Sequence, residues 1–237
     1  MAKTTHPRID DIITGREADG CYVITECVDD IHGLPGAFVR GSIDRWANGD
    51  YALAPSHLPA EHAQFLDIET RGLSGKNQIW LVGTAYWTGK TLRIHQFLAR
   101  DPLEEGTIIK AFFAQSERFP HWISFNGKTF DKTRLLRRAK AHLLSHDPCE
   151  RHKDIYQTYF PIVKGKNLER QTLGEYERIF FPQFKRERHI SGADIPAAYA
   201  NYINGGNPEP VKDAITHNAY DLVTLTALYL KAVQRGF

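Results

Sequence analysis

Two acids interrupt an apolar run. In AQFLDIET (63–70) Asp67 and Glu69 stand two residues apart, so the two-residue side-chain period of a strand sends both to the same face. Side by side they repel each other and resist desolvation, which suits a bound cation, basic neighbours or a wet strand end. A third acid, Asp131, closes FNGKTFD (125–131), where Asn126 and Phe130 lead a strand into a helix; helix capping is its ordinary alternative. Asp221 lies in HNAYDLVTL (217–225), four positions after His217 and therefore on the same helix face, an arrangement also common in exposed pairs. Acids converging from a strand, a strand–helix turn and a helix offer hard oxygen donors, which fit Mg²⁺ or Mn²⁺ better than zinc.

The elements that must position these acids follow from the apolar spacing. CYVITECV (21–28) and GAFVRGSI (36–43), separated by the turn signal HGLPG, read as strands of a β-rich extension over residues 1–60. From residue 61 onward, AQFLDIET, QIWLVGTAYW (78–87) and LRIHQFLA (92–99) read as three antiparallel strands, the last two joined through Thr88-Gly89-Lys90. LEEGTIIKAFFAQSERF (103–119) has helical spacing with acids near its start. HWISFNG (121–127) is a fourth strand and DKTRLLRRAKAHLL (131–144) a basic amphipathic helix. KDIYQTYF (153–160) is a fifth strand or a strand running into a helix, and helices follow near 172–180, 195–203 and 210–233. Three antiparallel strands followed by alternating helix and strand define an α/β domain over 61–237, with a mixed central sheet flanked by helices.

Composition narrows the class. The chain has 237 residues, a formal net charge of +2 and 42% hydrophobic residues, values of a globular protein rather than a basic tail. No apolar run approaches the roughly 18 residues of a membrane span, and MAKTTHPRIDD carries no secretory signal pattern. The 3 cysteines include no CxxC pair, so a reducing cytoplasm is the expected compartment. Charge is unevenly spread: residues 128–190 hold 15 of the 30 Lys and Arg but 8 of the 28 acids. Lys128 and the helix cations Arg134, Arg137, Arg138 and Lys140 flank the acids, as do Lys164, Lys166, Arg170, Lys185, Arg186 and Arg188. Each is either a solvated charge or a phosphate contact.

Taken in order, FLDIET, FNGKTFD and HNAYDL resemble the DEDD superfamily of 3′-to-5′ exonucleases, which have the ribonuclease H-like fold, and more narrowly the YprB-type ribonuclease H-like domain family. The resemblance runs from about Phe65 to Leu228 and includes HKDIY (152–156), TLGEYE (172–177) and DIPAAYANY (194–202). It implies a two-metal nuclease in which Asp67 bridges both ions, Glu69 and Asp221 hold the nucleophile-side ion, and Asp131 supports the second through water. Such ions lie about 3.5 to 4 Å apart, one activating water and the other stabilising the departing oxygen. The resemblance also implies 3′-to-5′ polarity, single-stranded DNA ahead of RNA, DNA repair and association with a helicase. An RNase or endonuclease of the same fold, and a catalytically silent nucleic-acid-binding module, are the alternatives. Better-known subgroups place Tyr four residues, or His five, before the last Asp. Here His217 takes the tyrosine spacing and is the candidate general base, since Tyr220 points about 100° away on the helix. Asn126 is read as a substrate or turn contact, Phe130 as core or a base-stacking wedge, and Asp154 as a hydrogen-bonded acid at a strand edge.

Overall fold

The computed structural model describes residues 8–18, 21–27, 36–72, 74–165, 171–184, 186 and 190–237. Lys166, Arg170, Lys185 and Arg188, grouped above with the loop cations, lie outside them, as does most of the HGLPG turn. The elements are α1 (Ile9–Ile12), β1 (Arg16–Ala18), β2 (Cys21–Cys27), α2 (Gly36–Ala47), β3 (Ala63–Thr70), β4 (Ile79–Trp87), β5 (Leu92–Leu98), α3 (Glu105–Ser116), β6 (His121–Ser124), α4 (Asp131–Ala141), β7 (Arg151–Asp154), α5 (Ile155–Val163), α6 (Leu173–Phe180), α7 (Ile195–Ile203) and α8 (Glu209–Gln234). The strands form one sheet in the order β1-β2-β5-β4-β3-β6-β7. β3, β4 and β5 pair antiparallel, and β6 and β7 join parallel, as the order of the sequence patterns requires.

Alternation along β3 divides its side chains between two layers. Leu66 and Ile68 pack with Ile108, Phe112 and Leu135 of α3 and α4. Phe65 points the other way, into a cluster with Ala85, Ile94 and the α8 residues Leu222, Leu225 and Tyr229. Asp67 and Glu69 share the parity of Phe65 and so face the layer containing α8. Among the described residues no helix is long and apolar enough to cross a membrane.

Two expectations for the first sixty residues are corrected. GAFVRGSI forms the start of α2, not a strand. Val39, Ile43 and Trp46 recur at helical spacing and are buried against α8, with Trp46 Nε1 donating to Leu58 O at 2.8 Å. β2 is a strand as expected, but its hairpin partner is β1. The strands before and after residue 60 belong to one sheet. β2 pairs with β5 over Tyr22–Cys27, and Val39, Ile43 and Trp46 share one apolar cluster with Phe65. KDIYQTYF resolves into the strand-then-helix alternative, β7 followed directly by α5.

Candidate active site

Asp67 lies in a cross-strand row. Gly83 of β4 stands opposite Asp67 on one side and Gln96 of β5 on the other. Asn218 of α8 fills the space above the glycine: its Nδ2 donates to Asp67 Oδ2 at 2.6 Å, and its Oδ1 accepts from Gln96 Nε2 at 2.9 Å. Gln96 Nε2 also donates to Ile215 O at 2.8 Å. A Cβ at position 83 would run into the Asn218 amide, so β4 must be bare where α8 approaches. Asn218 and Gln96 are fully buried, and together they fix the orientation of Asp67. Sequence reasoning passed over both. The signal available was two amide side chains inside otherwise apolar patterns.

Asp131 comes from the other side of β3. Pairing of β3 with β6 ends at Phe65 opposite Ile123, yet β3 continues to Thr70, so the backbone beyond opens toward the start of α4. Asp131 Oδ1 accepts the Ile68 N–H there at 3.2 Å. The capping alternative is not realised, since Asp131 is the first residue of the helix and Phe130 precedes it as the cap position. The FNGK turn is held by Asp154, which accepts from the backbone N–H of Asn126 at 2.7 Å, Lys128 at 3.2 Å and Tyr156 at 3.1 Å. Asn126 takes a left-handed φ of 57° in this turn, and its side chain accepts from Thr129 Oγ1 at 2.8 Å. A Cβ at Gly127 would meet Ser124 and Asp131, which keeps this turn tight beneath the acid.

On α8, His217 Nε2 stands 3.2 Å from Asp221 Oδ2. Arg186 reaches the other oxygen, with Nη2 2.6 Å from Asp221 Oδ1. A cavity of about 770 Å³ opens against Asp221 and His217, walled by Arg186, Phe184 and the start of α6 at Thr172. A reciprocal Thr172–Glu175 capping box shapes that wall.

The acids act on one another. Burial, then Glu69, Asp221 and Asp131, raise Asp67 well above the ordinary carboxylate range. Burial raises Glu69 to about 8; His217 opposes the shift while Asp221 and Asp131 add to it. Burial raises Asp131 to about 7 against the pull of backbone N–H groups, including that of Ile68. Burial would raise Asp221 too, but Arg186 and His217 outweigh it and hold it at about 2. His217 is raised because Asp221 and Glu69 outweigh the burial that would lower it.

Among the described residues no three His, Cys, Asp or Glu side chains are set to hold a metal ion as they stand. The chemistry of the donors nevertheless fits one: four carboxylates from three elements, three of them pushed toward protonation by burial and by neighbouring acids, are what a hard divalent cation would relieve.

The expected substrate contacts divide. Lys128 and Arg137 are exposed, as are Lys140 and the backbone turn at Asn126. Arg134 is 8% exposed, stacked 3.5 Å over the Phe130 ring, with Nη1 3.4 Å from Thr70 Oγ1. Arg138 pairs with the fully buried Glu105, Nη2 to Oε2 at 2.5 Å. Both arginines thus tie α4 into the fold, leaving Arg137 and Lys140 as the outward cations of this helix.

Residues 64–233 match the RNase_H superfamily, and the chain belongs to it. Together with the fold, this membership supports a nuclease of the ribonuclease H-like class. YprB of Bacillus subtilis (strain 168), itself uncharacterized, is 27% identical over 173 residues, covering 70% of this chain and 40% of that protein. The family B DNA polymerase of the hyperthermophilic archaeon Pyrobaculum calidifontis shares the fold at a TM-score of 0.55 and 17% identity, covering 71% of this chain and 24% of the polymerase. The chain thus spans less than half the length of either.

Proposed function

We propose that this protein is a divalent-metal-dependent 3′-to-5′ exonuclease that hydrolyses phosphodiester bonds at single-stranded DNA ends, in the setting of DNA repair and beside a helicase. The observation that carries this reading is the convergence of Asp67 and Glu69 from β3, Asp131 from α4 and Asp221 from α8 where β3 opens away from β6, close enough that the other three acids all raise Asp67. Asp67, Glu69 and Asp221 would hold one Mg²⁺ or Mn²⁺, with Asp67 and Asp131 serving a second. When bound, such ions supply an activated water and neutralise charge on the departing oxygen. The chain's own residues do the rest: Asn218 orients Asp67, the Ile68 N–H holds Asp131, and His217, beside Asp221, would take a proton from the attacking water. Asn126, Lys128 and Arg137 are exposed and would be contacts for the strand.

Degradation of end-labelled single-stranded DNA, duplex DNA and RNA with Mg²⁺ or Mn²⁺ tests the reading. A 5′-labelled DNA strand is expected to shorten as a ladder that keeps its label, with EDTA stopping the reaction. Immediate release of the label as mononucleotide would reverse the polarity, and cleavage of circular single strands would make the protein an endonuclease. Binding without any cleavage would leave a silent module.

Helix α4 gives a separate prediction. Arg137→Ala is expected to lower the salt slope of DNA binding by about one, with turnover at saturation little changed. Arg138→Ala leaves the buried Glu105 carboxylate with the Ile79 N–H at 2.8 Å and His142 Nε2 at 2.9 Å, and is expected to destabilise the fold by about 1.5–3 kcal/mol. Salt titrations and thermal melts read the two effects apart. An unchanged slope for Arg137→Ala assigns that side chain to solvent alone.

A further inference from the structure

Arg186 belongs to the connection between α6 and α7, where an arginine would ordinarily extend into water, yet its side chain is 6% exposed. Nε and Nη2 grip both carboxylate oxygens of Glu177 at 3.1 and 2.8 Å, and Nη2 continues to Asp221 Oδ1 at 2.6 Å. Glu177 on α6 is itself buried, and the Thr224 hydroxyl of α8 donates to it. The guanidinium lies 5.6 Å from the Tyr220 ring centroid. Burying this much charge is costly unless every partner is in place. Here the partners place a full positive charge directly on one of the four acids, at the wall of the cavity that opens on Asp221 and His217.

A divalent ion at Asp221 would share that carboxylate with the Arg186 guanidinium on Oδ1, while Oδ2 is met by His217 Nε2. One carboxylate cannot serve both cations at full strength, because two positive charges at that separation repel. Resting on the metal-dependent reading above, we propose that Arg186 is an internal cation that competes with the divalent ion for Asp221, and that once turned away it pairs with a phosphate of the bound strand. Turned from Asp221, the guanidinium remains beside the cavity, where its planar donor fork matches a phosphate. The arginine therefore makes metal entry harder and strand binding tighter, two effects of opposite sign from one side chain.

The test measures both on the full chain. Mn²⁺ and Mg²⁺ binding are read by titration calorimetry, and binding of a non-cleavable phosphorothioate oligonucleotide is read on the metal-loaded protein. Arg186→Gln is expected to tighten ion binding about tenfold, the effect of removing one contacting like charge worth about 1.4 kcal/mol, and to weaken oligonucleotide binding. Because Glu177 is left buried without its charge partner, the double variant Glu177→Gln/Arg186→Gln, neutral at both positions, is measured alongside, with thermal melts to confirm folding. It is expected to show the same two changes. Ion binding that is unchanged or weaker in both variants overturns the competition, and weaker binding would make Arg186 a positioning residue for Asp221. Unchanged oligonucleotide affinity overturns the phosphate contact. Absence of ion binding by the wild type, with Asp67→Asn indistinguishable from it, would instead remove the metal-dependent reading and this inference with it.

Discussion

Asp67→Asn is expected to lower phosphodiester hydrolysis roughly a thousandfold or more while leaving the metal-free fold as stable as the wild type or more so. The first effect follows from losing the carboxylate proposed to serve both ions, a deficit of several kcal/mol in transition-state stabilisation. The second follows from the raised positions of Asp67, Glu69 and Asp131, which mean that the metal-free fold favours their neutral forms. Stability from these groups is fully present below the ordinary carboxylate range near about pH 4, and it is lost as pH rises through about 7 for Asp131 and about 8 for Glu69. Asp221 runs the opposite way: its contribution is present above that range and lost as pH falls toward about 2. In EDTA the wild type should therefore melt lower at pH 8.5 than at pH 5.5. Asp67→Asn and Glu69→Gln should flatten that slope, and Mg²⁺ should raise the wild-type melting temperature most at high pH. Melting scans at the two pH values check all three. A uniform loss of stability in the metal-free variants would make these acids structural.

For His217→Ala the expected loss is about two to four orders of magnitude in turnover, the usual range for a general base, with ion affinity near the wild-type value. The imidazole projects from the same face of α8 as Asp221, one turn away, and borders the cavity. A base must be neutral to accept a proton, so wild-type activity should rise with pH through the histidine titration, and the variant should lose that limb. Turnover against pH for wild type, His217→Ala and His217→Tyr decides the role. An alanine variant that keeps most of the rate and the same profile leaves His217 as a water-orienting or phosphate-contacting residue at most.

How much of this was legible in the sequence depended on whether the pattern was local. The DxE pair needed only the strand period, and the His217–Asp221 pair only the helix period. The β3–β4–β5 meander and α8 likewise announce themselves through apolar spacing and turn residues. GAFVRGSI misled because Phe38, Val39 and Ile43 suit a strand by type. The stripe that counted, Val39–Ile43–Trp46, appears only when the window reaches past residue 43. The contacts of Asp67 with Asn218 and of Asp221 with Arg186 join residues 151 and 35 positions apart. Periodicity carries no information about such partners, because burial and pairing are decided by the fold. The basic helix shows the same limit: composition groups Arg134, Arg137 and Arg138 together, whereas packing sends two inward and one out.

The Gln96–Gly83–Asp67 row, with Asn218 laid over it, has a further consequence. On the α8 side of the sheet it separates Phe65, Ala85 and Ile94 from Leu81 and Leu98, which belong to different apolar clusters. An apolar seam would have fused these into one core, so the protein forgoes hydrophobic stabilisation along a full strand-crossing line to keep a single carboxylate aimed. Selection of variants for thermostability alone would therefore be drawn to this line first, filling Gly83 and replacing Asn218 and Gln96 with aliphatic side chains. The better such a protein resisted heat, the less of its chemistry it would retain.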